Sequence, residues 1–270
     1  MQMSFLKGIF KKIKAFDDEN RKEKSTLDSI TRDVNPEIVW ENLCELGDGA
    51  FGKVYKTKNN NTHLLSALKR VEFSTLDELN DFMIEIDILT KCKHPNIVKL
   101  EEVYIYESKL WMYLEFCGGG AADAVMQKLE RGFSERQIKF LCKEILQGLA
   151  FLHANLFIHR DLKAGNVLFT LANEVKIALS ADFGVSARLA SEKARRDSFI
   201  GTPHWMAPEV IACEYFKDSN YSSKADIWSL GITLIELAEM YPPNHSMNPT
   251  RVLMQITKAD PPTLSNPKLW

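Results

Sequence analysis

Three things are scarce in this sequence, and each scarcity excludes a class of protein. There is no Cys-x-x-Cys pair: the five cysteines, Cys44, Cys92, Cys117, Cys142 and Cys213, are odd in number and widely spaced. That argues against a disulfide framework and a zinc site, and fits a reducing, intracellular compartment. There is no apolar run near the roughly 20 residues that span a bilayer, and lysines interrupt the N-terminal apolar residues too often for a signal-peptide core. The expected location is the cytoplasm. There is no excess of one charge either: 34 Lys and Arg stand against 36 Asp and Glu, for a net charge of −2. No global basic field draws such a chain onto nucleic acid, which is excluded as a first partner. What remains is 270 residues, 45% hydrophobic and 26% charged, the balance of a globular chain long enough for one large or two modest domains.

Residues 1–35 differ from the rest. Phe5, Leu6, Ile9, Phe10, Ile13 and Phe16 recur at helical spacing with Lys7, Lys11, Lys12 and Lys14 between them. This basic amphipathic leader reads either as a helix for peripheral membrane or partner contact through residues 4–16, or as a solvated extension. From Trp40 the pattern turns to short β-rich runs, Leu43 to Leu46, Lys53 to Lys58 and Leu64 to Val71, with two more strands around Val98 to Tyr106 and Leu110 to Phe116. One helix interrupts them, opened by Thr75 with Glu78 three residues on and striped by Leu79, Phe82, Met83, Ile86 and Leu89. After Gly118-Gly119-Gly120 the chain becomes helical: Ser134 with Gln137 caps one helix, and Ala225 to Met240 forms another that is apolar nearly all round. The expected fold is α+β in two lobes, an antiparallel sheet plus one helix over 36–116 and a helical lobe over 117–270.

The chemistry lies in motifs spread over both lobes. Gly47-Asp48-Gly49-Ala50-Phe51-Gly52-Lys53-Val54 carries three glycines between two strands, where bare backbone N–H groups can approach phosphate oxygens. A dinucleotide-binding oxidoreductase uses similar glycines, but there the motif opens a helix, whereas Lys53 to Thr57 reads as strand. Lys69 ends an apolar strand, and Glu85 shares a helix face with Phe82 and Leu89; pairing them offsets the desolvation of each and aims the ammonium at phosphates. Taken singly, each reads as a solvated surface charge. His159-Arg160-Asp161-Leu162-Lys163-Ala164-Gly165-Asn166 and Asp182-Phe183-Gly184 are the specific signals. Phosphoryl transfer asks for groups that position and neutralise: Asp161 for the acceptor hydroxyl, Asn166 and Asp182 as oxygen ligands for Mg²⁺. With Ala207-Pro208-Glu209 downstream, these follow the order of the protein kinase signature set.

On these motifs, over residues 36–270, the chain resembles a eukaryotic serine/threonine protein kinase. Gly201-Thr202-Pro203-His204-Trp205-Met206-Ala207-Pro208-Glu209 is similar to the sterile-twenty group's segment, of germinal-centre-kinase type, with His204 where tyrosine is usual. Glu45 to Lys56, Ile84 to Leu89 and Arg195 to Pro203 resemble the subfamily of sterile-twenty-like kinase and lymphocyte-oriented kinase. The resemblance implies an enzyme that uses ATP with Mg²⁺ to phosphorylate protein Ser and Thr hydroxyls. It implies that Leu46, Gly47, Gly49, Gly52, Val54, Ala67 and Leu168 enclose the nucleotide, that Leu114 is the gatekeeper, and that Glu115 and Cys117 bond adenine through their backbones. Lys163 is implied to contact the γ-phosphate, Asp226 to anchor the catalytic loop, and Leu89, Leu100, His159 and Phe183 to stack. Implied partners are cytoskeletal linker proteins as substrates and a second copy of the chain through activation-segment exchange.

Ser198 and Thr202 are candidate phosphorylation sites, since Arg160 beside Asp161 is a fixed cation that a phosphate would pair. The other reading of Thr202 is an unmodified hydroxyl on the substrate side. Two departures keep a catalytically inactive, nucleotide-binding scaffold as the alternative. Family members continue past the position of Trp270 with helices and an arginine for Glu209, so the chain reads as C-terminally truncated. Asp182 also stands 16 residues after Asn166, a longer interval than the family's, so the residues between must bulge to bring it to the metal.

Overall fold

The computed structural model describes residues 30–49, 52–179, 202–216 and 222–270, and of residues 48, 49, 52, 76, 77, 80, 81, 84, 85 and 214–216 only the backbone. The amphipathic leader up to residue 29, Asp182, Phe183 and Ser198 lie outside the described residues.

Chain contacts divide the protein into two units. The first takes the described residues up to Lys91 together with Lys99–Phe116; the second takes Cys92–Val98 and Cys117–Trp270. The first unit is a six-stranded sheet with one helix. Its strands are β1 (Ile30–Arg32), β2 (Trp40–Gly49), β3 (Gly52–Asn59), β4 (Leu65–Glu72), β5 (Leu100–Tyr106) and β6 (Lys109–Glu115), in the order β1-β5-β6-β4-β3-β2. All pairs are antiparallel except β1 with β5. Helix α1 (Leu76–Lys91) starts where the capping pattern predicts. Glu78 N–H donates to Thr75 Oγ1 at 3.2 Å, and Glu78 Oε2 accepts the N–H of Ser74 at 2.7 Å, which satisfies donors the first turn leaves open. Leu79, Ile86 and Leu89 of its stripe are buried, and Phe82 and Met83 pack against the same core.

Strand alternation gives this sheet two faces. One buries Val103, Ile105, Leu110 and Met112 with Ile30, Leu79 and Ile86; the other buries Trp40, Leu68, Tyr104, Trp111 and Tyr113, with Trp40 stacked on Tyr113 at 4.3 Å. Sequence periodicity placed the leader boundary at residue 35, yet Ile30–Arg32 already belongs to the sheet. A three-residue strand carries too little alternation to be seen.

The second unit is mainly helical, with α2 (Ala122–Leu129), α3 (Glu135–Ala154), α4 (Pro208–Phe216), α5 (Lys224–Glu239) and α6 (Pro249–Ile256), and a small sheet of β7 (Gly120–Ala121), β8 (Val167–Phe169) and β9 (Val175–Ile177). Gln137 Oε1 accepts the Ser134 N–H at 2.9 Å, the predicted cap of α3. Leu141, Ile145, Leu149 and Leu152 then recur at helical spacing as its buried face. At Gly148 the helix lies so close to β9 that a Cβ would stand 2.6 Å from Ile177 Cδ1. Residues 92–98 join this unit because Val98 N–H donates to Ile177 O and Asn96 Nδ2 donates to Val175 O, both at 3.0 Å. Among the described residues no helix is long and apolar enough to cross a membrane.

Candidate active site

In the first unit, register decides which side chains share a face. Val54 pairs with Lys69, and Ala67 pairs with Leu114, while Lys69 also pairs with Met112. Directly opposed residues point to one side of a sheet, so Val54, Ala67, Lys69 and Leu114 lie together on the α1-bearing face. Four residues of the sequence-based nucleotide set are thus gathered by hydrogen-bond register alone. The glycine-rich segment forms the β2–β3 hairpin: Gly47 pairs with Val54 and Gly49 with Gly52. Gly52 opens a strand, which removes the dinucleotide-binding reading. Leu46 is exposed at the end of this hairpin, and Lys53 Nζ meets Glu45 Oε2 at 2.9 Å across it. The partner expected for Lys69, the Glu85 side chain, lies outside the described residues. At the end of β6, Glu115 N–H donates to Lys99 O at 2.8 Å.

The second unit holds the catalytic loop. It is anchored from α5 by Asp226, which is fully buried. Asp226 Oδ2 accepts the N–H of His159 at 2.8 Å and faces His153 Nε2 at 2.7 Å, while Oδ1 accepts the N–H of Arg160 at 2.8 Å. Arg160 adopts φ 68°, a left-handed conformation that costs a non-glycine residue of the order of 1 kcal/mol or more. Two carboxylate bonds to consecutive N–H groups hold it there. His159 is buried, and burial lowers its pKa, so the ring is neutral. Its Nδ1 accepts the Asp161 N–H at 3.3 Å, which leaves the proton on Nε2, donated to Ala178 O at 3.1 Å.

Held in this way, Asp161 becomes the meeting point of three side chains. Thr202 Oγ1 donates to Asp161 Oδ1 at 2.8 Å; Asn166 Nδ2 donates to Asp161 Oδ2 at 2.9 Å and to its backbone O at 2.6 Å. Lys163 Nζ lies 3.1 Å from Asp161 Oδ2 and donates to Thr202 Oγ1 at 2.8 Å. The carboxylate is therefore oriented through both oxygens, and a cation sits beside it. Asn166 spends its amide N–H groups on Asp161, and its Oδ1 has no partner among the described residues. Leu168 on β8 pairs with Ala121 and Lys176, and Cys117 O accepts the Gly120 N–H at 3.0 Å. His204, in the place usually held by tyrosine, packs edge-on against Trp205 with ring centroids 5.8 Å apart.

Sequence reasoning missed three polar residues of α5. Ser229 Oγ donates to Trp205 O at 2.8 Å, Thr233 Oγ1 lies 3.3 Å from Leu162 O, and Glu236 Oε2 accepts both Ala164 N–H and Trp205 Nε1–H at 2.9 Å. The signal was present: Asp226, Ser229, Thr233 and Glu236 recur at intervals of three and four on an otherwise apolar helix, one polar stripe.

Comparison with known proteins agrees with this geometry. Residues 40–266 match the family described as protein kinase domain. The chain is 53% identical over 261 residues to serine/threonine-protein kinase 10 of Xenopus tropicalis, covering 97% of this chain and 27% of that protein. It is 54% identical over 252 residues to the protein of that name from Homo sapiens, covering 93% and 26%. It is 41% identical over 255 residues to serine/threonine-protein kinase 1 of Arabidopsis thaliana, covering 93% and 29%. The chain thus spans about a quarter of the length of these curated relatives.

Proposed function

From the premise that the chain belongs to the protein kinase domain family, we propose that it transfers the γ-phosphoryl group of ATP to Ser and Thr hydroxyls of proteins. The observation that carries this is the second unit's cluster, in which Thr202, Lys163 and Asn166 all converge on Asp161. Phosphoryl transfer needs little covalent chemistry from the protein and much positioning. Asp161 orients the acceptor hydroxyl and accepts its hydrogen bond. Lys163, 3.1 Å from that carboxylate, supplies a cation for the transferring group. Thr202 bridges the two and favours the reading as a seat for the acceptor over that as a phosphate carrier, which leaves Ser198 as the activating site.

Asn166 Oδ1 and Asp182 would hold Mg²⁺. The fit rests on oxygen chemistry and on the fixed Asn166 amide, whose nitrogen already faces Asp161. When bound, the ion neutralises phosphate oxygens. In the first unit, Lys69 on the face shared with Val54, Ala67 and Leu114 would meet phosphates and adenine, with Glu85 orienting it. Leu46, Gly47, Gly49 and Gly52 would form the flap of the hairpin, and Glu115, Cys117 and Leu168 would bind the base.

We further place the chain in the sterile-twenty group beside sterile-twenty-like and lymphocyte-oriented kinases, on its segments 45–56, 84–89 and 195–203. On that placement its substrates are cytoskeletal linker proteins and its activation runs through exchange between two copies; the basic amphipathic pattern of the leader supports a peripheral membrane contact through residues 4–16. Five free thiols support a cytoplasmic location.

The test is incubation of the purified chain with Mg²⁺ and ATP, read by intact mass, beside an Asp161→Asn copy. Phosphate added only to the unaltered chain supports a kinase. No addition to either, with a protein substrate also left unmodified, returns the inactive scaffold.

A further inference from the structure

Glu236 stands near the C-terminal end of α5 and is 6% exposed. One of its oxygens accepts two bonds from different segments. The Ala164 N–H belongs to the residue after Lys163; the Trp205 indole lies three residues after Thr202. Those two segments carry the side chains, Lys163 and Thr202, that meet over Asp161. Asp226 holds the catalytic loop from one end of α5 and meets His153 of α3, but among the described residues it makes no bond to the 202–205 segment. Glu236 is the residue of the polar stripe whose side chain ties both segments with a charge. A carboxylate makes such bonds about twice as strong as a neutral acceptor does.

We propose that Glu236 is a positioning residue whose negative charge holds the catalytic loop and the 202–205 segment in register, so that Lys163 and Thr202 reach Asp161 together. The proposal rests on the function given above and adds a residue to it. Loss of the charge weakens both bonds at once and lets the two segments drift. The charged groups that face Glu236 are Asp123 from α2 and Lys163 from the catalytic loop; Asp123 also borders this loop, its Oδ2 lying 3.0 Å from where a Cβ on Gly165 would be. Trp205 and Thr233 are uncharged, and His204 beside Trp205 is kept neutral by burial. Burial pushes the Glu236 carboxyl up to about 7, with Asp123 adding to the rise and Ala164, Trp205 and Lys163 opposing it. The charge is then gained and lost near neutral pH.

The experiment follows the five tryptophan indole N–H resonances of the full chain by nitrogen-15 NMR between pH 5.5 and 8.5, with Trp205→Phe assigning the relevant one. The expected result is a Trp205 resonance that titrates with a midpoint near 7 in the unaltered chain and is flat in Glu236→Gln. A Trp205 resonance that keeps the same position in Glu236→Ala as in the unaltered chain overturns the tie. Kinetics on the same proteins then ask whether the tie serves transfer. Glu236→Ala should lose roughly ten- to a hundredfold in kcat with the KM for ATP unmoved. Glu236→Gln should restore part of that rate and lack the fall toward acid pH. An alanine variant with unaltered kcat overturns the positioning role. If the unaltered chain transfers no phosphate, the proposed function fails and the positioning role fails with it, while the resonance still decides whether the tie exists.

Discussion

Asp226 Oδ1 accepts the backbone N–H of Arg160 at 2.8 Å, and Arg160 is held there at a φ of 68°. The carboxylate is fully buried and its second oxygen takes the neighbouring N–H of His159. Removing it leaves two buried donors without partners and frees a strained residue next to Asp161. Asp226→Ala is expected to lower the stability of the second unit by about 3 kcal/mol and to reduce transfer further than stability accounts for. Asp226→Asn, which retains one acceptor, should lose less on both counts. Urea unfolding followed by circular dichroism, with kcat measured well below the unfolding midpoint, separates the two effects. Equal stability in Asp226→Ala and the unaltered protein would mean that the loop is held by other contacts.

Thr202 gives a second test, because its hydroxyl donates to Asp161 and accepts from Lys163, both at 2.8 Å. Thr202→Val keeps the shape and loses both bonds. Its kcat should fall by roughly one to two orders of magnitude, on the scale of a lost charge-assisted bond, while Thr202→Ser stays close to the unaltered enzyme. Phosphopeptide mapping of the active protein should find phosphate on Ser198 and none on Thr202. Stoichiometric phosphate on Thr202 in an active preparation would remove the acceptor-seat role.

How far the sequence foretold these relations depends on what kind of signal each one leaves. The strands from residue 40, helix α1 with its Thr75 and Glu78 cap, and helix α3 with Ser134 and Gln137 were legible because periodicity and capping are local. Asp161, Lys163 and Asn166 were legible because they stand within six residues of one another in a recognisable order. The meeting of Lys163 with Thr202 was not, since 39 residues separate them and no local pattern ties them. The α5 stripe was partly visible. Asp226 was read as an anchor, but Glu236 was passed over on a helix taken as apolar nearly all round, where a buried carboxylate looks like an exposed one until its partners are placed. Residues 92–98 joined the second unit through backbone bonds to β9 and through the Asn96 side chain on Val175 O and Glu144, partners about 50 to 80 residues away that no local pattern marks.

Glu236 also carries a stability prediction. Its ordinary pKa is 4.5 and burial raises it to about 7 in the folded protein. The folded state therefore holds the proton more tightly than the unfolded chain does. The resulting stability is complete below pH 4.5 and is lost as the pH rises through 7. That interval corresponds to about 3 kcal/mol, and the protein gives it up at the pH where the charge is needed for position. Glu236→Gln cannot ionise, so its melting temperature relative to the unaltered protein should climb between pH 5.5 and pH 8. A constant difference across that range would show that the carboxyl titrates at its ordinary value.

The last prediction concerns the strand that sequence patterning left in the leader. Ile30 is 7% exposed and sits in the cluster with Leu79 and Ile86 of α1 and with Val103, Ile105 and Met112 of the sheet. Its strand adds to β5 in parallel, with Ile30 opposite Val103 and Arg32 opposite Ile105. β1 therefore both covers the sheet's edge and closes the core on which α1 rests. Ile30→Ala should lower the stability of the first unit by about 2 kcal/mol and Ile30→Val by about 1 kcal/mol. A chain begun at residue 36 should lose at least as much as Ile30→Ala and expose β5 as an open edge prone to association. Trp40 and Trp111 lie on the opposite face of the same sheet, so tryptophan fluorescence follows this unit once the second unit's Trp205, Trp228 and Trp270 are changed to Phe. If the shortened chain unfolds at the same urea concentration as the full one, β1 contributes nothing to the core, and α1 is seated by the sheet alone.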